Sequence, residues 1–575
     1  LEDEGSDRTN TIRNSFDGMS GTGTVQQNNG NGNALNATTA VTNAAEGGTA
    51  GSEQIGGGVD QTADAGRNGI GNRVLSLDTD DSGSSRLNRM DQGAFNNVAG
   101  DLSVQENNGD ANTMNQATAI VATVSESLGD VTQRPRASDN ALNDTSVGNG
   151  EISVRSDSQY SRDNRIDRSF RQADGVANVQ QNNGDANTVN AATAVFGSIA
   201  GGGNNPPQAG TIDGELNQSN ILARDNTVEQ IDGPTSAEDG VTDMAGTRTN
   251  EITNNAFNDV RGTTNVQQNN GGANTMDAAT AVAGTRSTDT TDGDVNDGVT
   301  QSTVGGAGEI NNDIGSSETD NDVLVTVSGV EGSNTRDNTI DGSFGNANGI
   351  HNVQQNNGDA NSINVASAVA VVQGDVTGDV TQDVDMTGTD LRSINASDTD
   401  TRRDNTIADS FGETGGVVNV QQNNGSAKSI NASTAVLMAN DVTGTVTQDV
   451  DGNATVYGTV TTTADSVDRD NAIESGAFDD TSGVATVQQN NGDGNYMGAG
   501  SAVASALGQP VTQVTLNGSV TGSTVNIETG STGINNTTNN NVTGSFNNVS
   551  GVTTVQQNNG NNNVIQSGVT VSANF

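Results

Sequence analysis

The chain has one histidine, His351, and a general base needs a side chain that titrates near neutral pH, so chemistry is sought there first. His351 stands beside one of eight recurring Val-Gln-Gln blocks and has no equivalent in the other seven. Catalysis needs a positioned partner and a pocket. The sequence shows neither, and His351 reads as a surface-strand residue. Carboxylates are plentiful, with 71 Asp and Glu, but a pair in one repeat of eight does not stand out from that background. No catalytic residue and no cofactor-binding residue is assigned, and the chain reads as a non-enzyme. Asp-rich stretches such as Asp78-Thr79-Asp80-Asp81 and Asp292 to Asp297 offer oxygen ligands to Ca²⁺. They lack the EF-hand loop and the Gly-Gly-x-Gly-x-Asp nonapeptide. They read as solvated acidic loops, with weak Ca²⁺ binding as the alternative. There is no Cys, hence no disulfide framework and no thiolate metal site.

The regularity of the chain lies in its repeats. Val-Gln-Gln-Asn-Asn-Gly, or a near variant, occurs eight times, with first glutamines Gln26, Gln105, Gln180, Gln267, Gln354, Gln421, Gln488 and Gln556. The intervals vary, so each repeat has a fixed block and an intervening part that accepts insertions. The repeats run 1–80, 81–155, 156–242, 243–330, 331–397, 398–464, 465–532 and 533–575. Ten residues before each of those glutamines stands a Phe: Phe16, Phe95, Phe170, Phe257, Phe344, Phe411, Phe478 and Phe546. Five before it stands a Gly, from Gly21 to Gly551. In seven copies an Arg (Arg8, Arg86, Arg162, Arg248, Arg336, Arg403, Arg469) lies two residues before an Asn. Several have an adjacent Asp, as in Arg336-Asp337, Arg403-Asp404 and Arg469-Asp470. Exposed ion pairs are worth little singly; stacked in register they act as alternating charge ladders, and the alternative is a merely solvated edge.

Short β-runs alternate with Gly, Asn and Asp, and no segment carries a 3.6-residue apolar stripe. All five prolines fall in the intervening parts, as expected if the blocks hydrogen-bond their backbone amides. Alternation puts Val and the second Gln of each block on one face and the first Gln on the other. Only 30% of residues are hydrophobic and 2% aromatic, too few to fill a thick core. Stacked ladders substitute for one: like residues about 4.8 Å apart pair their amides and rings. The expected ladder comprises the eight Phe residues with Gln27, Gln181, Gln268, Gln355, Gln422, Gln489 and Gln557. The fold expected is an all-β repeat, a β-solenoid or cross-β stack of eight in-register repeats that polymerises head to tail.

The pattern Val-x-Gln-x-x-Gly-x-x-Asn (Val25, Gln27, Gly30, Asn33 in the first copy) resembles the strand-turn-strand units of curli-type functional amyloid subunits. Asn- and Gln-rich repeats joined by variable linkers also resemble the Pseudomonas-type Fap subunits. The resemblance implies a secreted bacterial subunit that polymerises into cell-surface or biofilm fibres. It covers about twenty residues per repeat. The chain departs from the curli pattern in an extra residue before the Gly, in lacking a regular closing Gln, and in its longer period. Lys428 also replaces the Asn in the sixth copy.

Partners follow from charge. A net charge of −48 disfavours nucleic acid and anionic membrane surfaces. No run approaches the roughly 18 apolar residues that insertion needs. The first residue, Leu1, with no signal-peptide h-region, fits a processed secreted protein. The partner expected is a second copy of the chain, outside the cell or on its surface. The alternative is a monomeric solenoid stalk or adhesin passenger that binds a surface or glycan.

Overall fold

The computed structural model describes residues 7–45, 84–124, 160–199, 246–286, 335–372, 402–439, 466–506 and 535–574, except positions 111, 186, 273, 360 and 427, and the backbone of strands between these blocks. It is all-β, with no helix among the described residues. Each block forms three strands. In the fifth block they are Thr335–Asp341, Asn348–Asn356 and Ser362–Val372. Each strand pairs in parallel with its counterparts in neighbouring repeats, giving three eight-stranded sheets. The register puts like on like: Arg336 lies between Arg248 and Arg403, and Gln354 between Gln267 and Gln421. One repeat therefore climbs one rung. Repeats 67 and 87 residues apart stack alike, so the insertions leave the register untouched.

The three sheets are layered. The first strand alternates, with Arg336, Asn338 and Ile340 buried and Thr335, Asp337 and Thr339 partly exposed. The second strand is buried on both faces. Val353 and its equivalents join the first sheet's apolar cluster, while Gln354 reaches backbone carbonyls of the third sheet at Asp277 and Ile363. The far face of the third sheet is a strip of alanines, among them Ala117, Ala192, Ala279 and Ala366. Such small side chains let an outer sheet, built from intervening-part strands such as Val299–Val304 and Val380–Asp398, lie close against it. Gln382 ties the two together, donating to the carbonyls of Ala368 (3.3 Å) and Val436 (3.0 Å).

Two backbone devices turn the first strand into the second. All eight repeat Phe residues adopt left-handed backbone, with φ between 58° and 62°. That region costs a bulky L-residue roughly 1–2 kcal/mol, and here it is occupied where the rings enter the core. The Gly five residues before each first Gln has φ between 109° and 137°. At Gly262 a Cβ would sit 2.1 Å from the carbonyl oxygen of Gly175 one rung away. Only glycine fits there.

Candidate functional site: the stacked ladders

The eight Phe rings form one continuous column. Neighbouring centroids lie 4.7–5.2 Å apart and the planes within 16° of parallel. Phe95, Phe170, Phe257, Phe344, Phe411 and Phe478 are fully buried, Phe546 is partly buried and Phe16 is half exposed. Isoleucines of the first strand and valines of the second flank the column in one apolar cluster.

Beside it run two glutamine ladders of opposite polarity. In the second-Gln ladder each amide donates to the preceding rung: Gln181 to Glu106 (2.8 Å), Gln268 to Gln181 (2.9 Å), Gln355 to Gln268 (3.0 Å) and Gln422 to Gln355 (2.9 Å). Gln489 donates to Gln422 (2.8 Å) and Gln557 to Gln489 (2.7 Å). In the first-Gln ladder donation runs to the following rung, from Gln26 to Gln105 (2.9 Å) through Gln488 to Gln556 (2.9 Å). Opposed polarity cancels much of the summed amide dipole, so length does not accumulate an electrostatic penalty. Each bond contributes about 0.5–1.5 kcal/mol net. Asparagine ladders add cross-links: Asn88 donates to Asn164 on the next rung and to Asn108 across the sheets, both at 3.0 Å.

The arginines correct the sequence reading. Arg86, Arg162, Arg248, Arg336, Arg403 and Arg469 are buried and point inward, away from the adjacent aspartates. They are neither exposed ion pairs nor a solvated edge, because strand alternation sends residue i inward and i+1 outward. Each guanidinium donates to the carbonyl of the second Asn of the turn, as Arg336 does to Asn357 (2.8 Å). The carboxylates they meet lie after the Asn-Asn-Gly turn. Arg86 meets Asp110 (2.9 Å), Arg162 meets Asp185 (2.6 Å), Arg336 meets Asp359 (2.7 Å) and Arg469 meets Asp493 (2.9 Å). Arginines also reach back one rung: Arg162 to Asp110 (3.5 Å), Arg248 to Asp185 (2.9 Å) and Arg403 to Asp359 (3.0 Å). The result is a buried staircase joining rungs. Its four aspartates were missed; the signal was Asn-Asn-Gly-Asp, present in four of eight copies.

His351 is also corrected. It is fully buried, not on the surface, and its ring meets Phe344 edge-on at 6.1 Å. It takes the core position that Leu102, Ala177 and Val418 fill elsewhere. Both ring nitrogens lack a hydrogen-bond partner, and burial pulls its pKa down to about 4. At neutral pH the imidazole is therefore uncharged and packs as a hydrophobe. Lys428 is buried too; its ammonium donates to Asn423 (3.0 Å), as the Asn361 amide does to Asn356 (3.2 Å). Of the Asp-rich stretches, residues 292–297, Asp81 and the side chains of 78–80 lie outside the described residues. Among the described residues no group of three or more His, Asp or Glu is placed to hold a metal ion.

Two acids interrupt the amide ladders. Burial raises Glu106 to about 8, partly opposed by the Gln181 amide, and raises Asp277 to about 7 against the Asn190 amide. Glu106 Oε1 and Gln27 Oε1, in register on neighbouring rungs, are both buried without a partner, and a proton on Glu106 would give the pair a donor. On the outer face Asp337 is raised to about 6 by burial and by Asp404 stacked on the next rung. The folded state thus retains protons that the unfolded chain releases. The stability contributed by these acids is present below the ordinary carboxylate range and is lost as pH rises toward 8. His351 has the opposite sign, but its effect is confined between about 4 and 6.5. Stability should therefore fall from pH 6.5 to 8.5, read as a lower melting temperature. Glu106→Gln should raise the melting temperature at pH 8.5 and flatten that slope; an unchanged slope would exclude Glu106 as its source.

No family model matches the chain, and neither the curated proteins nor the solved structures contain a match to it.

Proposed function

We propose that this chain is a structural subunit that assembles end to end with copies of itself into an extracellular fibre of the functional-amyloid kind. One observation carries the reading: identical side chains stack rung upon rung in a register that both outer rungs leave open. Among the described residues the strand Asp7–Arg13 pairs only with Ser85–Asp91, and Asn535–Thr543 only with Ser466–Glu474. Such edges present unpaired amides and carbonyls to another chain. The contact that joins repeat to repeat is heterologous, so repeated between copies it propagates without closing. The curli-like spacing supports a place on the cell surface or in a biofilm matrix. The net charge of −48 opposes association, and salt or Ca²⁺ should promote it by screening.

Electron micrographs and fibre diffraction of the purified chain at rising salt provide the test. Long filaments with a reflection near 4.8 Å along the axis are the expected result. Isolated rods of roughly 40 Å, eight rungs at that spacing, would overturn it and favour a monomeric stalk or adhesin.

A further inference from the structure

Charge is distributed very unevenly over the rungs. The seventh block, 466–506, carries Arg469 and six acids: Asp468, Asp470, Glu474, Asp479, Asp480 and Asp493. The eighth, 535–574, carries no charged residue. Position by position, Asp468 gives way to Thr537, Asp470 to Asn539 and Glu474 to Thr543. The staircase acid Asp493 is followed by Asn561, and the first rung likewise has Asn31 where the second has Asp110. The first block, 7–45, holds only Asp7, Arg8, Arg13 and Asp17, a net charge of zero. Exposed apolar side chains concentrate on the same two rungs. Of the seven large ones among the described residues, Phe16, Val41, Val542, Val555 and Val564 belong to the first or eighth.

We infer that the eighth rung of one copy receives the first rung of a second copy in the register that continues every ladder, across a seam from which like charge has been removed. This rests on the self-assembly reading and specifies its joint. Phe546 then stacks on Phe16 of the second copy as Phe478 stacks on Phe546 (4.7 Å). Arg8 of the second copy lies over Thr538 and reaches back to Asn561, as Arg248 reaches back to Asp185 (2.9 Å). Thr537 comes opposite Asp7 of the second copy and Thr543 opposite Arg13. Two subunits each bearing −48 would repel at a seam that kept the acids of the seventh rung. Amides and hydroxyls there keep the hydrogen bonds without the repulsion.

The register makes opposite predictions for two variants of equal charge. Thr537→Asp puts a carboxylate against Asp7 of the second copy, whereas Thr543→Glu puts one against Arg13. Within their own chain both face an acid of the seventh rung, Asp468 or Glu474, so each carries an intrachain repulsion that its melting temperature reports separately. Filament formation by the full chain is followed by light scattering in low salt, with melting temperatures of the dispersed variants checking folding. T537D should raise the concentration for half-maximal assembly roughly five- to tenfold. T543E should leave it unchanged or lower it, and adding Asp7→Arg to T537D should restore assembly. If wild type forms filaments but both variants are impaired equally, T537D is without effect, or Asp7→Arg fails to rescue, the seam is wrong while the assembly reading stands. If wild type stays dispersed at every salt concentration, the reading fails and the seam with it.

Discussion

Asp185→Ala should destabilise the stack by about 3–5 kcal/mol, the cost typical of leaving a buried charge without its partner. Asp185 is buried between two guanidiniums, Arg162 at 2.6 Å and Arg248 at 2.9 Å. Burial alone would raise its pKa. The charges of Arg162 and Arg248, with the Asp110 backbone amide, outweigh that and hold the carboxyl below its ordinary value. The substitution leaves Arg162 with the carbonyl of Asn183 (2.9 Å) and the longer contact to Asp110 (3.5 Å), and Arg248 with the carbonyl of Asn270 (2.8 Å) but no carboxylate of its own turn. Asp185→Asn should cost less, because Asn31 already accepts from Arg8 at the same turn position (3.1 Å). The sign with pH is opposite to that of Glu106. A depressed folded pKa gives stability that is present above the unfolded value and lost as pH falls through the folded one. Wild type and variant should therefore converge only in strong acid. Denaturant unfolding of the dispersed protein measures this; a loss below about 1 kcal/mol at pH 7 would show that the staircase contributes little beyond the ladders.

The sequence made the rung visible but not its cross-section. Eight Phe residues at a constant distance from eight Gln residues can stack only if each repeat returns the chain to the same place, so register was legible. The faces of Val-Gln-Gln were legible as well, since the second strand obeys simple alternation. The inward turn of the arginines was not read, although alternation with the Asn two residues later implied it, because charged side chains are assigned to solvent by default. Their partners were harder to find. Arg162 and Asp185 are separated by a whole strand and a turn, and the back-reaching contact to Asp110 comes from another repeat. His351 misled for a related reason: without equivalents in other copies it looked incidental, yet its position is a buried one that Leu102, Ala177, Thr264 and Val418 fill in neighbouring rungs. The triplet Val-Thr-Gln, which recurs in the intervening parts at 380–382, 446–448 and 511–513, shows the limit of motif matching. In the fifth and sixth repeats it aligns, with Gln382 opposite Gln448. In the next copy Gln513 stands opposite Thr445, and Gln448 stands opposite Leu516. No such slip occurs among the described residues of the three inner sheets, where an odd shift would turn each buried side chain to the opposite face.

Phe257→Ala should cost about 3–5 kcal/mol, as expected for emptying a fully buried aromatic site. Its ring lies 4.7 Å from Phe170 and 4.9 Å from Phe344, so the cavity would open in the middle of the column, walled by rings that cannot close on each other without breaking rung spacing. The backbone adds a second and less ordinary effect. Residue 257 has φ of 58°, and Ala retains the left-handed penalty while giving up the ring burial that offset it. Phe257→Gly loses the same burial but relieves the backbone. The usual preference for Ala over Gly within β-structure should therefore reverse, with the Gly variant about 0.5–1 kcal/mol more stable than the Ala variant. Phe16→Ala, at the half-exposed end of the column, should cost much less than either in the dispersed chain. In filaments its cost should approach that of Phe257→Ala, because the second copy would bury it. Unfolding of the three variants with and without assembly separates the contributions. A Gly variant less stable than the Ala variant would mean that the left-handed turn is enforced by its neighbours at no cost to residue 257.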